Sequence, residues 1–385
     1  MLLEVKNIGK ISHAQIELNG ITVIAGVNNT GKSTVGKVLF CLSNSFFDID
    51  QQIANERINR IIKIIRVPAL DEIFIFDPPK VRAFAESLVS KSINYENAEE
   101  LSSSLLDYLN NLTPTIYSKI HMSDSLSQSL SKKIMQILGI SDDELIVLIL
   151  RQWLQREFNM QVGNACFPDL DSEISLAIED KKISIAIQKD DIIIKNHCSL
   201  GSEAIYIDDP LAADGEASYL RRWPSFINFN HREHLMEKLI PIDDASPLEK
   251  AFDAILVSKK LNEALAILYN VCKGDLIKSN VHHNLIFATQ EGNQTISLEM
   301  KNVSTGMKSF IILKTLLLNG SLRENGILIL DEPEIHLHPE WQLVFAELIV
   351  LLQKIYNMRV LLTTHSPYFL DAIDVYSRKH GTEKK

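Results

Sequence analysis

Gly26-Val27-Asn28-Asn29-Thr30-Gly31-Lys32-Ser33 is the stretch that decides how this chain folds. It has the pattern G-x-x-x-x-G-K-S. The apolar β-branched run Ile21 to Ile24 leads in, and a helix-compatible stretch from Lys32 to Leu42 leads out. Strand, glycine-rich loop and helix in that order let backbone amides converge on a polyphosphate, with the positive end of the helix dipole behind them. Gly26, Asn28, Asn29, Thr30, Gly31, Lys32, Ser33 and Thr34 are the candidate nucleotide-binding residues. Lys32 would reach the β- and γ-phosphates, and the Ser33 hydroxyl would ligate Mg²⁺.

Working outward, residues 1 to 25 read as three short strands: Leu2 to Lys6, Gln15 to Leu18 and Ile21 to Ala25. Asn19-Gly20 reads as a tight turn between the last two. From about 46 to 165 helix-compatible stretches dominate, with no fixed-period repeat and no sustained heptads. Ser141-Asp142-Asp143-Glu144 is a capping-box start for a helix to about Phe158. Residues 174 to 195 predict a β-meander turning at Glu179-Asp180 and Asp190-Asp191. Ile205 to Ile207 reads as a strand stopped by Asp208-Asp209-Pro210. A second helical stretch covers roughly 230 to 273, and a hairpin follows at Leu285 to Ala288 and Thr295 to Leu298, turned through Gly292-Asn293.

The last third carries the chemistry. Ile327-Leu328-Ile329-Leu330 is a continuous apolar run, as expected of a strand buried on both faces of a parallel sheet. Val360-Leu361-Leu362-Thr363 reads as its neighbour, joined through a helix from Pro339 to Tyr356. Asp331-Glu332 stands at the carboxyl end of the first strand. Asp331 can hold Mg²⁺ and Glu332 can polarise an attacking water. Thr363-Thr364-His365-Ser366 ends the neighbouring strand, which points His365 at a γ-phosphate. Asn302-Val303-Ser304-Thr305-Gly306-Met307-Lys308 opens an apolar helix running to Asn319, and a Ser and Gly at a helix start make an anion site.

Phosphate loop, signature, acidic strand and histidine occur in the order that resembles the ABC ATPase superfamily. The wording Asp331-Glu332-Pro333-Glu334-Ile335-His336-Leu337-His338-Pro339, with Thr364-His365-Ser366-Pro367, resembles the soluble branch of the OLD proteins and the ATPase subunits of the Septu, Gabija and PARIS anti-phage systems. SMC-like ATPases of DNA repair are a more distant likeness. The motifs cover residues 1 to 45 and about 280 to 373.

The resemblance implies an α/β fold: a P-loop ABC-type ATPase head, a mixed β-sheet core with flanking helices, carrying a large helical insertion. It implies ATP and Mg²⁺ as cofactors and a head-to-tail homodimer or higher homo-oligomer. Lys32 and Ser33 would hold phosphates and metal, Asp331 would support the metal, Glu332 would activate water, and His365 would sense the γ-phosphate. Ser304, Thr305, Gly306 and Lys308 would reach the partner's ATP. The expected domains are 1-45 and 170-230 for lobe I, 46-169 for the helical insertion, 231-280 for a helical segment, and 281-385 for the signature, acidic-strand and histidine lobe. The expected role is anti-phage defence, with ATP state controlling a nuclease or toxin subunit. The OLD nuclease and the Gabija ATPase carry a Toprim domain beyond the position of His365, and the resemblance therefore implies that any nucleic-acid destruction is expected of another subunit.

The chain departs from the superfamily in three places. Met307-Lys308 stands where a Gln usually follows the signature glycine, Ile335-His336-Leu337-His338 replaces Ser-Ala-Leu-Asp, and the glutamine loop has only Gln161 and Gln188 as candidates. Competing readings are an SMC-like DNA-repair ATPase, a transporter's nucleotide-binding subunit, and a scaffold that binds ATP without turning it over.

Composition bounds these readings. The chain has 385 residues, 46% hydrophobic and 23% charged, as in an ordinary globular protein. The length allows two or three domains, or one large domain with insertions. No apolar run reaches the ~18 residues of a membrane span, so the expectation is a cytoplasmic protein with no membrane partner. Four scattered cysteines, Cys41, Cys166, Cys198 and Cys272, form no CxxC pair. A net charge of -10 argues against non-specific nucleic-acid binding over the whole surface. Arg57, Arg60, Lys63 and Arg66 nevertheless line one helix face; solvated surface is the default, with nucleic-acid backbone or an acidic partner as the alternative. His231-Arg232-Glu233-His234 reads as a solvated helix start, Asp214-Gly215-Glu216 as a plain acidic loop, and His336 with His338 as neighbours of the nucleotide.

Overall fold

The computed structural model describes residues 1–69, 78–90, 99–104, 124–164, 166–167, 169–188, 191–215, 230–240, 261–278, 285–292 and 294–382. The chain divides into two compact units, one of residues 1–47 with 150–385 and one of residues 48–149. Among the described residues the regular elements of the smaller unit are all helices. In it α2 (Ile49–Ala69) packs against α3 (Pro78–Ser90) and α4 (Asp124–Leu138). Ile58, Ile61, Ile62 and Ile65 of α2 are buried, as a period of three to four predicts. The basic stripe on the same helix is partly spent inside the unit: Arg57 pairs with Asp142 (2.8 Å) and Arg60 with Glu56 (2.7 Å). Helix α5 (Asp142–Glu157) opens on the expected box. The Glu144 amide donates to Ser141 Oγ (3.3 Å), and the Ser141 amide donates back to the Glu144 carboxylate (3.1 Å).

In the larger unit an antiparallel sheet runs β2-β1-β4-β5-β6, from β1 (Leu2–Ile8), β2 (Ile11–Glu17), β4 (Ser172–Ile178), β5 (Lys181–Gln188) and β6 (Asp191–Asn196). A parallel sheet runs β3-β12-β11-β7, from β3 (Ile21–Ala25), β7 (Ala204–Ile207), β11 (Ile327–Asp331) and β12 (Arg359–Thr364). Three antiparallel strands, β8 (Asp275–Lys278), β9 (Leu285–Glu291) and β10 (Gln294–Glu299), make a third sheet. The meander and the second hairpin lie where alternation placed them, although Asp190 and Asn293 of their turns fall outside the described residues. So does 241–260 of the second helical stretch, whose described part includes α6 (His231–Leu239).

One expectation is corrected. Asn19-Gly20 does not close a hairpin, because β2 and β3 lie in different sheets. Gly20, at φ 67, turns the chain out of the antiparallel sheet and into the parallel one.

The parallel sheet positions the site. All five β11 residues are buried, and register sets Asp331 beside Thr363 and Thr364 beside Ala25. All four strands therefore release their next residues (Gly26, Asp208, Glu332 and His365) along one edge, where open parallel sheets present ligand sites. Helix α1 (Lys32–Phe46) follows β3, α8 (Pro339–Tyr356) crosses from β11 to β12, and α9 (Pro367–His380) follows β12. Helix α7 (Thr305–Leu318) is apolar but carries two buried lysines, each neutralised. Lys308 pairs with Asp214 (2.6 Å) and Lys314 with Asp275 (2.8 Å).

Candidate active site

The phosphate loop has the conformation its glycines permit. Gly31 adopts φ 97, and an ideal Cβ there would lie 2.9 Å from Ile11 Cγ1. Gly26 N donates to Thr364 O (3.4 Å), and Val35 N, the first paired amide of α1, donates to Gly31 O (3.2 Å). Thr30 Oγ1 donates back to Val27 O (3.0 Å). Lys32 is buried, and its ammonium donates to the Gly26 and Val27 carbonyls (3.0 and 2.9 Å) while lying 3.4 Å from Glu332 Oε1. A cavity of about 300 Å³ is lined by Gly9, Lys10, Asn28, Asn29, Gly31, Lys32, Ser33, Thr34 and Glu332. Its roof is the tip of the β1–β2 hairpin, where Lys10 Nζ donates to Asn29 Oδ1 (2.7 Å).

Asp331 and Glu332 differ in setting. Asp331 is 9% exposed and accepts from the Tyr206 hydroxyl (3.0 Å) at Oδ2 and from Thr363 Oγ1 at Oδ1. Glu332 turns out of the strand at φ 49, a left-handed conformation uncommon for a side-chain-bearing residue. The neighbouring strand holds it there, since its amide donates to Thr363 O (3.0 Å) and to Thr363 Oγ1 (3.2 Å). His365 Nδ1 lies 3.5 Å from Glu332 Oε2. Glu334, 3% exposed, accepts from Thr364 Oγ1 and from the His365 amide (3.3 Å), which anchors the histidine loop to the acidic turn.

Lys32, Ser33, Asp331, Glu332 and His365 thus meet at one edge, and Ser304, Thr305 and Gly306 do not join them. Those three line a separate open cavity of about 530 Å³ with His336, His338 and Trp341, and it shares no lining residue with the phosphate-loop cavity. The Ser304 side chain makes no cap bond to its own helix. Lys308 is corrected: it is 1% exposed and turned inward onto Asp214, away from the cavity of the other three. Asp214, the partner of that lysine, ends the short 3-10 turn Pro210–Asp214, and Glu216 of the expected acidic loop lies outside the described residues. His338 lines the cavity of Ser304 to Gly306, whereas His336 lines that cavity and also borders a small pocket with Asp331 and Glu332.

The helix start at 231–234 is corrected as well, because His231 and His234 are buried. His231 Nδ1 lies 2.7 Å from Glu157 and Nε2 lies 3.0 Å from Asp208, while His234 Nε2 lies 3.4 Å from Glu203. Asp208 is held at about 2: burial opposes ionisation, but His231 and Arg232 outweigh it. His231 is raised, since its two carboxylate partners outweigh its burial. Neither Gln161 nor Gln188 belongs to the parallel sheet; Gln188 ends β5 and donates to Asp171 (2.9 Å), and β7 is succeeded by Asp208. Among the described residues no three His, Cys, Asp or Glu side chains form a metal-binding group.

Sequence reasoning missed Tyr206, Thr363 as a donor, Glu334 and Lys10. The one available signal for Tyr206 was a hydroxyl inside the apolar strand Ala204-Ile205-Tyr206-Ile207, since a buried phenol needs a partner.

A glycine-rich loop on a parallel sheet edge, with a carboxylate pair and a histidine ending the neighbouring strands, defines a phosphate-loop ATPase domain of the α/β class. The family model of the AAA ATPase domain matches residues 1–370, and the chain belongs to that family. The Septu protein PtuA of Bacillus thuringiensis is 27% identical over 131 residues, which is 30% of this chain and 30% of that protein. The match thus spans under a third of the curated relative. Among solved structures, an SmcHead bound to the C-winged helix domain of ScpA has 13% identity and a TM-score of 0.41, covering 96% of this chain and 90% of that one. The SMC head domain from Thermotoga maritima has 11% identity and a TM-score of 0.34, covering 97% and 91%. No helix among the described residues is long and apolar enough to cross a membrane.

Proposed function

We propose that this chain hydrolyses ATP as an ABC-type head that closes on a second copy of itself around nucleotide, and that its ATP state controls an effector subunit in anti-phage defence. One observation carries the reading. Lys32, Ser33, Asp331, Glu332 and His365 converge on one edge, while Ser304 to Gly306 open into a cavity with no phosphate-loop residue in it. A signature so placed serves a nucleotide held by another copy. The helical unit 48–149 is then an insertion into the head.

Hard oxygen donors fit magnesium: the Ser33 hydroxyl and the Asp331 carboxylate would hold it, and the Tyr206 hydroxyl lies 3.0 Å from Asp331 Oδ2 and 3.5 Å from the Ser33 backbone carbonyl. Bound there, Mg²⁺ supplies charge neutralisation to the phosphates. Lys32 exchanges its carbonyl partners and Glu332 for phosphate oxygens. Released from Lys32, Glu332 accepts a proton from water, and His365, beside it, donates a hydrogen bond to the γ-phosphate. The defence role is supported by the DEPEIHLHP wording and the Septu PtuA match, and the effector by that same likeness.

Phosphate release by the purified chain, measured beside Glu332→Gln, tests the enzyme; equal inertness of both would leave an ATP-binding scaffold. Light scattering with ATP tests pairing. Glu332→Gln should dimerise on ATP, and adding Gly306→Ala should prevent it, because a Cβ there lies 2.8 Å from His336 O.

A further inference from the structure

We propose that Tyr206 is a positioning residue for the metal-holding carboxylate, fixing Asp331 by a hydroxyl grip that is itself locked by a plate of buried side chains. The inference rests on the reading of Asp331 as the Mg²⁺ support.

Tyr206 sits in β7, opposite Ile329 of β11, and its side chain leans along the strand far enough to reach Asp331, two residues on. Asp331 is thereby held from both neighbouring strands, by Tyr206 of β7 at one oxygen and Thr363 of β12 at the other. Each carboxylate oxygen keeps a further lone pair, so the grip sets the carboxylate's orientation without filling it. The phenol hydroxyl is the donor of this contact, 3.0 Å from Asp331 Oδ2.

The ring is fixed on three sides. His231 stacks on it at 4.4 Å between centroids and 25° between planes. Phe40 of α1 meets it edge-on at 6.1 Å. Gly36 of α1 makes room for the hydroxyl, which an ideal Cβ would approach to 3.2 Å. Carboxylates flank both nitrogens of the His231 plate, Glu157 at 2.7 Å from Nδ1 and Asp208 at 3.0 Å from Nε2. Helices α1, α5 and α6 and strand β7 therefore converge on the direction of one hydroxyl. A residue serving only to fill the core would need the ring and not the oxygen.

The test compares ATP affinity of the full chain by calorimetry with Mg²⁺ and with chelator. In Tyr206→Phe the gain in affinity that Mg²⁺ confers should shrink on the order of tenfold, the scale of second-layer changes at metal sites. Asp331→Asn separates the two readings. If Asp331→Asn keeps the full Mg²⁺ gain, the metal reading of Asp331 fails. If Asp331→Asn loses it while a folded Tyr206→Phe keeps it in full, the metal reading stands and the role of Tyr206 is overturned. Should Tyr206→Phe not fold, Gly36→Ala replaces it, crowding the hydroxyl (3.2 Å) together with Ile329 Cγ2 (3.1 Å) without removing it. The same loss of Mg²⁺ gain is expected there, and its absence overturns the proposal.

Discussion

The Lys32 ammonium lies 3.4 Å from the Glu332 carboxylate, with the two side chains 5% and 20% exposed. The residue expected to grip phosphate, at the start of α1, and the residue expected to activate water, just past β11, are therefore paired with each other, and a phosphate bound at Lys32 would have to part them.

Glu332→Gln should show both consequences. Loss of the carboxylate removes the general base and should lower phosphate release roughly 100- to 10,000-fold. Loss of the competing charge frees Lys32 and should tighten ATP binding by about threefold, the scale of a partly screened ion pair. Phosphate-release kinetics and calorimetry read the two effects separately, and weaker ATP binding in the variant would show that the pair does not compete with nucleotide.

Gly31→Ala should damage the loop twice over. The backbone stands at φ 97, and the new methyl would meet Ile11 Cγ1 at 2.9 Å. Strain of this kind costs on the order of 1–3 kcal/mol. Lower thermal stability with loss of ATP binding is expected, whereas Gly292→Ala, at φ 61 with nothing within 4 Å of its Cβ, should leave binding intact.

Stability should depend on pH through Asp208 and His231. Asp208, lowered from 3.8 to about 2, stabilises the fold above about pH 4 and loses that contribution as pH falls toward 2. His231, raised above 6.5, stabilises fully below that pH and loses its contribution as pH rises through its higher folded value. The pair is thus strongest between about pH 4 and 6.5. Asp208→Asn should cost about 2 kcal/mol in urea unfolding at pH 5.5 and less at pH 3 or pH 9. A cost that stayed flat across that range would assign Asp208 a packing role alone.

Lys308 and Asp214 form an unequal pair, with side chains 2% and 22% exposed. Removing Asp214 strands a buried ammonium, while removing Lys308 leaves a carboxylate that water still reaches. Asp214→Ala should therefore destabilise by roughly 3 kcal/mol and Lys308→Met by less than half as much. Urea unfolding of both variants checks the order, and a larger loss in Lys308→Met would reverse it.

Local chemistry was legible and burial was not. Helix α8 begins at Pro339 and ends at Tyr356 as the sequence predicts, and the phosphate loop, the apolar β11 and the Ser141 box announce themselves within a few residues. His231 and His234 read as solvated because nothing near them says otherwise. The carboxylate that buries His231 is Glu157, 74 residues away. Lys308 was misplaced for the same reason, since Asp214 stands 94 residues upstream. The split of β2 from β3 also escaped local reasoning: a turn dipeptide states that the chain bends, and not which sheet receives it.

The roof that the β1–β2 tip lays over the phosphate loop limits how this gene can be cut. The shortest continuous piece containing every lining residue of the phosphate-loop cavity runs from Gly9 to Glu332, and His365 extends it further. Recombination cannot trade this pocket as a small cassette, because its walls are spread over most of the chain.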